Sequence, residues 1–129
     1  MALIVLDTSV VLGGLDPADA HHPASAAALR RHERDELVLP ASAYAEVLVH
    51  PIRAGAHAVE RVELALTTMT IRVEPLSREI AGRAARIRAA HRIGLPDALV
   101  LATGDHLGAD VILTADASWG RVSRRVEVV

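Results

Sequence analysis

The chain has 129 residues, enough for one domain with a real core and too few for two. It has no cysteine and no lysine, all fourteen basic residues being arginine, which excludes disulfides, zinc–thiolate sites, thiol nucleophiles, P-loop nucleotide hydrolysis and Schiff-base chemistry together. A formal net charge of −2 gives no bulk attraction to a polyanion, leaving a local basic patch or a bound cation to meet one.

With no Phe, one Trp (Trp119) and one Tyr (Tyr44), the core must be aliphatic, which favours helices packed on a parallel sheet. Leu3 to Leu6 is the continuous apolar run of a buried central strand, ended by Asp7-Thr8-Ser9, whose groups can cap a helix. The run lacks a basic leader and is interrupted by Asp7, so neither a signal peptide nor a membrane span is expected, and the absence of cysteine fits a soluble, cytoplasmic chain. Gly13-Gly14 and Asp16-Pro17 read as a loop, followed by an Ala-rich helix from about Pro23 to Glu36. Leu37 to Leu39 forms a second strand before Pro40, and Ser42 can cap a helix with Tyr44, Val47 and Leu48 as its apolar stripe.

Pro51 and Gly55 break that helix, and a further one from about Ala56 to Thr68 brings Val59, Val62, Leu66 and Met69 to helical spacing. Ile71 to Val73 alternates as a strand, Ser77 can cap a helix with the stripe Ile80, Ala84 and Ile87, and Gly94 ends it. Pro96 suits a first helical position, and Ala98 to Ala102 is apolar all round, as in a buried helix. Strands Val111 to Leu113 and Val126 to Val128 complete the order β-α-β-α-α-β-α-α-β-α-β, a single domain over residues 1–129 whose helices are long enough to cross between parallel strands.

Asp7 directly follows the first strand and Asp116 stands just past Val111 to Leu113, at the strand ends where ligands of open α/β sheets bind. Glu46 and Asp97 fall in the first turns of two helices that start from the same edge. Four acids a few ångströms apart would repel one another and raise some of their own pKa values, so Mg²⁺ or Mn²⁺ is the natural counter-charge. Taken singly, an Asp after a strand is more often a turn or helix cap, and a Glu within a helix is more often solvated. Their joint placement shifts that balance.

Leu-Asp-Thr-Ser at residues 6–9, Glu46 in the helix after the second strand, Pro-Asp-Ala-Leu at 96–99 and Thr-Ala-Asp at 114–116 together resemble a PIN-domain ribonuclease, most closely the VapC-type toxin of type II toxin–antitoxin pairs. The resemblance spans nearly the whole chain in order. It implies a three-layer α/β/α sandwich with a central, mostly parallel sheet, and a Mg²⁺- or Mn²⁺-dependent endoribonuclease. The family's acidic site maps onto Asp7, Glu46, Asp97 and Asp116, with Asp7 and Asp97 as primary ligands, Glu46 and Asp116 ligating, holding waters or binding a second ion, and Thr8 and Thr114 in support. Trp119 stands where another aromatic, usually Phe, is expected. The implied partners are an RNA substrate (tRNA or another structured RNA), a cognate antitoxin protein and a second copy of the chain in a homodimer.

Phosphodiester cleavage fits these residues, since cations held by carboxylates can activate water and stabilise the leaving oxygen without a His or Ser nucleophile. A phosphotransferase with an acceptor aspartate does not fit: there is no Lys for the phosphoryl group and no second Asp two residues after Asp7. A catalytically inactive PIN-like module that binds RNA or a protein is the remaining alternative, although a pure binder gains nothing from negative charge facing phosphates. Among the seven histidines a solvated role is the plainer reading, with His21 or His22 the candidates to overhang the site. Asp105 and Asp110 read as helix-end and turn residues, and Arg30, Arg31 and Arg34 as a solvated face or an RNA-phosphate surface. Apolar stripes in the hairpin of residues 42–69 exceed what one sheet can cover, so a partner is expected over that hairpin and the acidic edge, and the resemblance implies an antitoxin helix there that extends an Arg or Lys toward the acids.

Overall fold

Five strands pair in the order β3-β2-β1-β4-β5, every pairing parallel. In the computed structural model, which describes residues 1–129, the elements are β1 (Leu3–Leu6), α1 (Thr8–Leu15), α2 (His22–Arg31), β2 (Glu36–Pro40), α3 (Ala41–Ala54), α4 (Ala56–Thr68), β3 (Ile71–Glu74), α5 (Arg78–Ala90), α6 (Leu95–Leu107), β4 (Val111–Thr114), a 3₁₀ turn (Ala117–Arg121) and β5 (Val126–Val128). Right-handed crossovers from β1 to β2 and from β2 to β3 put α1 to α4 on one face. The return from β3 to β4 runs the other way and puts α5 and α6 on the opposite face, which makes the three-layer α/β/α sandwich. No helix is long and apolar enough to cross a membrane.

Layers on both faces explain why the strands are continuous apolar runs: Ile4, Val5, Leu6, Val38, Leu39, Ile112 and Leu113 are all fully buried. β1 lies between β2 and β4, and the chain direction across the sheet reverses there. Diverging loops at such a switch point leave a crevice at the carboxyl ends of the two strands. Asp7 follows one of them and Asp116 the other.

Several local expectations are corrected. Gly13 and Gly14 lie inside α1, not in a loop. A β-carbon on Gly13 would stand 2.6 Å from Ser25 Oγ and one on Gly14 2.5 Å from Leu29 Cδ1, so these glycines let α1 and α2 approach. The helix expected over 23–36 ends at Arg31, where the half-buried His32 lies 2.8 Å from Asp35 and Asp35 in turn accepts the Ala2 N–H. Pro51 is a buried residue within α3, whose break falls only at Gly55, with φ of 124°. β2 runs straight into α3, so Pro40 occupies the cap position and Ser42 lies in the first turn without capping. Gly94 precedes α6 as its cap, and α5 ends earlier, at Ala90. The segment between β4 and β5 is a 3₁₀ turn. Ser77 does cap α5, its Oγ accepting from the Ile80 N–H at 3.2 Å.

Candidate active site

Asp7 leaves β1 in an extended conformation and occupies the cap position of α1, yet its side chain does not cap that helix. Instead Asp7 Oδ2 accepts from both Ser9 Oγ and Thr114 Oγ1, each at 2.8 Å. Thr114 is the buried last residue of β4, and its hydroxyl accepts the Asp116 N–H at 3.1 Å, while Ser9 Oγ accepts the Ala115 N–H at 3.1 Å. The carboxyl ends of β1 and β4 are thereby laced together around one carboxylate. Burial pushes the Asp7 pKa up, opposed by the Ser9 and Thr114 hydrogen bonds and the Thr8 backbone, with the Asp116 charge pushing the same way as burial.

Asp97 lies in the first turn of α6, on the loop side of the same edge, and is half-buried. Its pKa is raised first by burial and then by the charges of Asp7 and Asp116; Trp119 opposes this, and Glu46 adds to it. All three other predicted acids therefore act on Asp97. Glu46 is exposed, in the second turn of α3 and not the first, because that helix begins at Ala41. Helical side chains tilt toward the amino end, and Glu46 Oε1 accepts from Thr8 Oγ1 at 3.3 Å. Asp116 caps the 3₁₀ turn, its Oδ1 accepting from Ser118 N at 2.9 Å and Ser118 Oγ at 2.7 Å. Those two hydrogen bonds hold its pKa low against partial burial, helped by Trp119 and Arg121.

The fold thus brings Asp7, Glu46, Asp97 and Asp116 to one edge, with Thr8 and Thr114 beside them. No three acids or histidines close into a ready ligand cage: Asp7, Glu46 and Asp116 each have an oxygen engaged by a protein hydroxyl. The donor set nevertheless fits a hard divalent cation, because it consists of carboxylate and hydroxyl oxygens that repel one another when unshielded, and Mg²⁺ is usually held by only one or two carboxylates with waters completing its shell. Asp7 and Asp97 would hold it directly, with Glu46 and Asp116 at its flank.

Other candidates lie elsewhere. His22 Nδ1 is 2.8 Å from Gly13 O, at the end of α1 remote from Asp7, a structural contact away from the acids. Arg31 pairs with Glu127 at 2.6 Å, and Arg30 and Arg34 line a pocket with Leu37 and Thr70 at the amino ends of β2 and β3, the edge opposite the acids. Asp110 accepts the Leu3 N–H at 2.8 Å and Asp105 pairs with Arg125 at 3.4 Å, both structural. Two other arginines brace the loop that leads into α6: Arg121 Nη2 donates to Arg92 O at 3.0 Å and Arg88 Nη1 to Ile93 O at 2.8 Å. Ser9, read from sequence only as a possible helix cap and as part of the Leu-Asp-Thr-Ser stretch, and Ser118, not read at all, each bond an acid two residues earlier; the repeated Asp-x-Ser spacing is the signal for that role.

The shifts have a sign that can be measured. Asp7 and Asp97 lie above the ordinary 3.8 in the folded chain, so the fold favours their protonated forms and the cation-free protein loses stability as pH rises from that value through the raised ones. Asp116, and Asp35 bonded to His32, lie below 3.8 and contribute stability that is lost only as pH falls past it. In EDTA, the urea midpoint of the wild type should therefore fall more steeply as pH rises above about 4 than that of Asp97→Asn. Parallel profiles for the two proteins would show that the fold does not raise the Asp97 pKa.

A PIN domain family model matches residues 4–125. Solved structures share the fold: a chain of a toxin–antitoxin complex from Klebsiella pneumoniae (TM-score 0.81, 22% identity, covering 97% of this chain and 96% of that one), and VapBC2 from Rickettsia felis bound to a promoter DNA fragment (0.79, 12%, 98% and 98%). Mycobacterium tuberculosis VapC20, described as a sarcin–ricin loop cleaving toxin, is also similar (0.73, 17%, 93% and 95%). No curated protein sequence matches significantly. Because the family model spans nearly the whole sheet and reaches past all four acids, this chain belongs to the PIN domain family.

Proposed function

We propose that this chain is a Mg²⁺- or Mn²⁺-dependent endoribonuclease and the toxin of a toxin–antitoxin pair. The observation that carries the reading is the placement of four acids from four separate segments at one sheet edge, Asp7 bonded to Thr114, Glu46 bonded to Thr8, Asp116 capping the turn after β4 and Asp97 opening α6. Negative charge gathered in this way has a chemical use only if a cation offsets it. A bound divalent cation supplies Lewis acidity toward the phosphate and lowers the pKa of water. Asp7, fixed by Ser9 and Thr114, presents its second oxygen in one orientation. Asp116, kept ionised by Ser118, and Glu46, steadied by Thr8, place negative charge where waters are to be oriented. Arg92, exposed on the loop that leads into α6, and Arg121, exposed at the end of the 3₁₀ turn, suit the flanking phosphates of RNA.

Structured RNA is the favoured substrate class, supported by the fold shared with a sarcin–ricin loop cleaving toxin. The test is cleavage of tRNA and ribosomal RNA fragments by purified protein with Mg²⁺ or Mn²⁺ and with EDTA. Cleavage only with the cation supports the proposal. RNA binding without cleavage under any cation would instead favour the inactive-module alternative.

The antitoxin reading is supported by a groove of about 750 Å³ between α1, α3 and α4, lined by Leu12, Leu15, Val47, Pro51, Val62 and Ala65. Tyr44 on α3 donates its hydroxyl to Glu63 on α4, which holds the groove's two long walls together. Asp16, Asp19, His50 and Arg61 supply its polar lining, so an amphipathic helix that lays its apolar face on the floor and presents charge of both signs at the margins matches it. Co-expression with an antitoxin encoded by the adjacent gene should give a stable complex in which RNA cleavage is lost. A tight complex that cuts RNA at the free rate would remove occlusion from the proposal. A homodimer is part of the same reading, checked by sedimentation of the isolated chain.

A further inference from the structure

Trp119 is the only tryptophan in the chain, and at 1% exposure it is among the largest wholly buried side chains. Its ring packs in the core, but its indole N–H is buried without a hydrogen-bond partner. That is a costly arrangement for a strong donor with no access to water. The group is not remote from acceptors. It lies close enough to the carboxylates of both Asp97 and Asp116 to favour their ionised forms, while meeting hydrogen-bonding geometry with neither. Its backbone is held firmly: Trp119 N–H donates to Asp116 O at 3.3 Å, and Trp119 O accepts from Val122 N at 2.9 Å.

A donor fixed in the core beside two carboxylates, and satisfied by neither, is poised for a small adjustment of one of them. We infer that Trp119 is a positioning residue of the acidic centre, whose indole N–H hydrogen-bonds Asp97 or Asp116 when a divalent cation draws the carboxylates together, fixing the oxygen that faces away from the cation. This rests on the cation-dependent reading above and adds to it a named donor. Asp7 already has such donors in Ser9 and Thr114, and Asp116 has one oxygen bonded by Ser118. Asp97 has no other side-chain donor, which makes it the favoured acceptor. A group that orients a ligating carboxylate in this way typically changes cation affinity by about 10- to 100-fold.

A single tryptophan makes the test free of assignment. In a ¹H–¹⁵N spectrum of the intact chain the one indole cross-peak should move downfield saturably with Mg²⁺, and its exchange with solvent should slow. Replacing Trp119 by benzothienylalanine, which puts sulfur where the N–H was and keeps the ring volume, should weaken Mn²⁺ binding by roughly 10-fold or more, counted from the free-Mn²⁺ electron paramagnetic resonance signal. The EDTA-treated protein should keep its unfolding midpoint. Trp119→Phe serves as a second donor-free variant and should lose affinity to a similar extent. An unmoved indole peak, or unchanged Mn²⁺ affinity in the isostere while Asp97→Asn abolishes binding, would overturn the role of Trp119 and leave the cation site standing. If the wild type binds no Mn²⁺ at all, the cation-dependent reading and this inference fall together.

Discussion

Asp97→Asn should lower RNA cleavage by on the order of 1000-fold or more, the rate equivalent of losing several kcal/mol of charge stabilisation in the transition state. The substitution keeps the shape and the packing of α6 and removes one negative charge. Because the charges of Asp7, Asp116 and Glu46 all bear on that carboxylate, its removal relieves repulsion in the cation-free protein. The substitution also gives up the interaction of a carboxylate with the amino end of a helix, worth about 0.3–1 kcal/mol at most exposed sites. The two changes oppose each other, so the unfolding midpoint in EDTA should be unchanged or slightly higher. Asp7→Asn should behave alike in cleavage, since Asn can still accept from Ser9 and Thr114 through its carbonyl oxygen. Near-wild-type cleavage by the Asp97 variant would remove that residue from the site, and an unfolded variant would mean that the carboxylate serves the fold.

The strands were legible in the sequence because a strand buried on both faces is a local, continuous apolar signal, and Leu3–Leu6 and Val111–Thr114 lie at the centre of this sheet. Their trailing acids were legible for the same reason. Local sequence does not encode the strand order, however, and it is the adjacency of β1 and β4 that sets Thr114 against Asp7. Gly13-Gly14 misled because a glycine that allows two helices to meet looks in isolation like one that allows a turn. The deciding atoms belong to Ser25 and Leu29, more than ten residues away. Pro51 misled similarly, since a proline near the end of a helix is tolerated when the ring is buried among neighbours that the local sequence does not identify. The basic surface was sought on α2, where charge is densest locally. The arginines that brace the loop into α6 come from α5 and from the 3₁₀ turn, segments that meet that loop only once the sheet has formed.

Leu101→Ala, one helical turn beyond Asp97 in α6, should have the opposite character. Leu101 is 1% exposed within a helix whose run from Val100 to Gly104 is buried throughout. α6 packs so closely on the sheet that a β-carbon on Gly104 would stand 2.4 Å from Ile112 Cδ1. A cavity there cannot readily collapse, because the backbone is already held against β4, so the loss should reach the usual range for buried leucine, about 2–5 kcal/mol. For a chain of this size that lowers the melting temperature by on the order of 10 °C. Cleavage per folded molecule at low temperature should nevertheless stay within a few-fold of wild type, provided the first turn of α6 still presents Asp97. Thermal unfolding and cleavage assays on Leu101→Ala and Asp97→Asn side by side should then separate two duties along one helix, stability in its middle and chemistry at its amino end. If Leu101→Ala cost little stability but abolished cleavage, the packing of α6 would be tuned to the position of its first turn and not to the core.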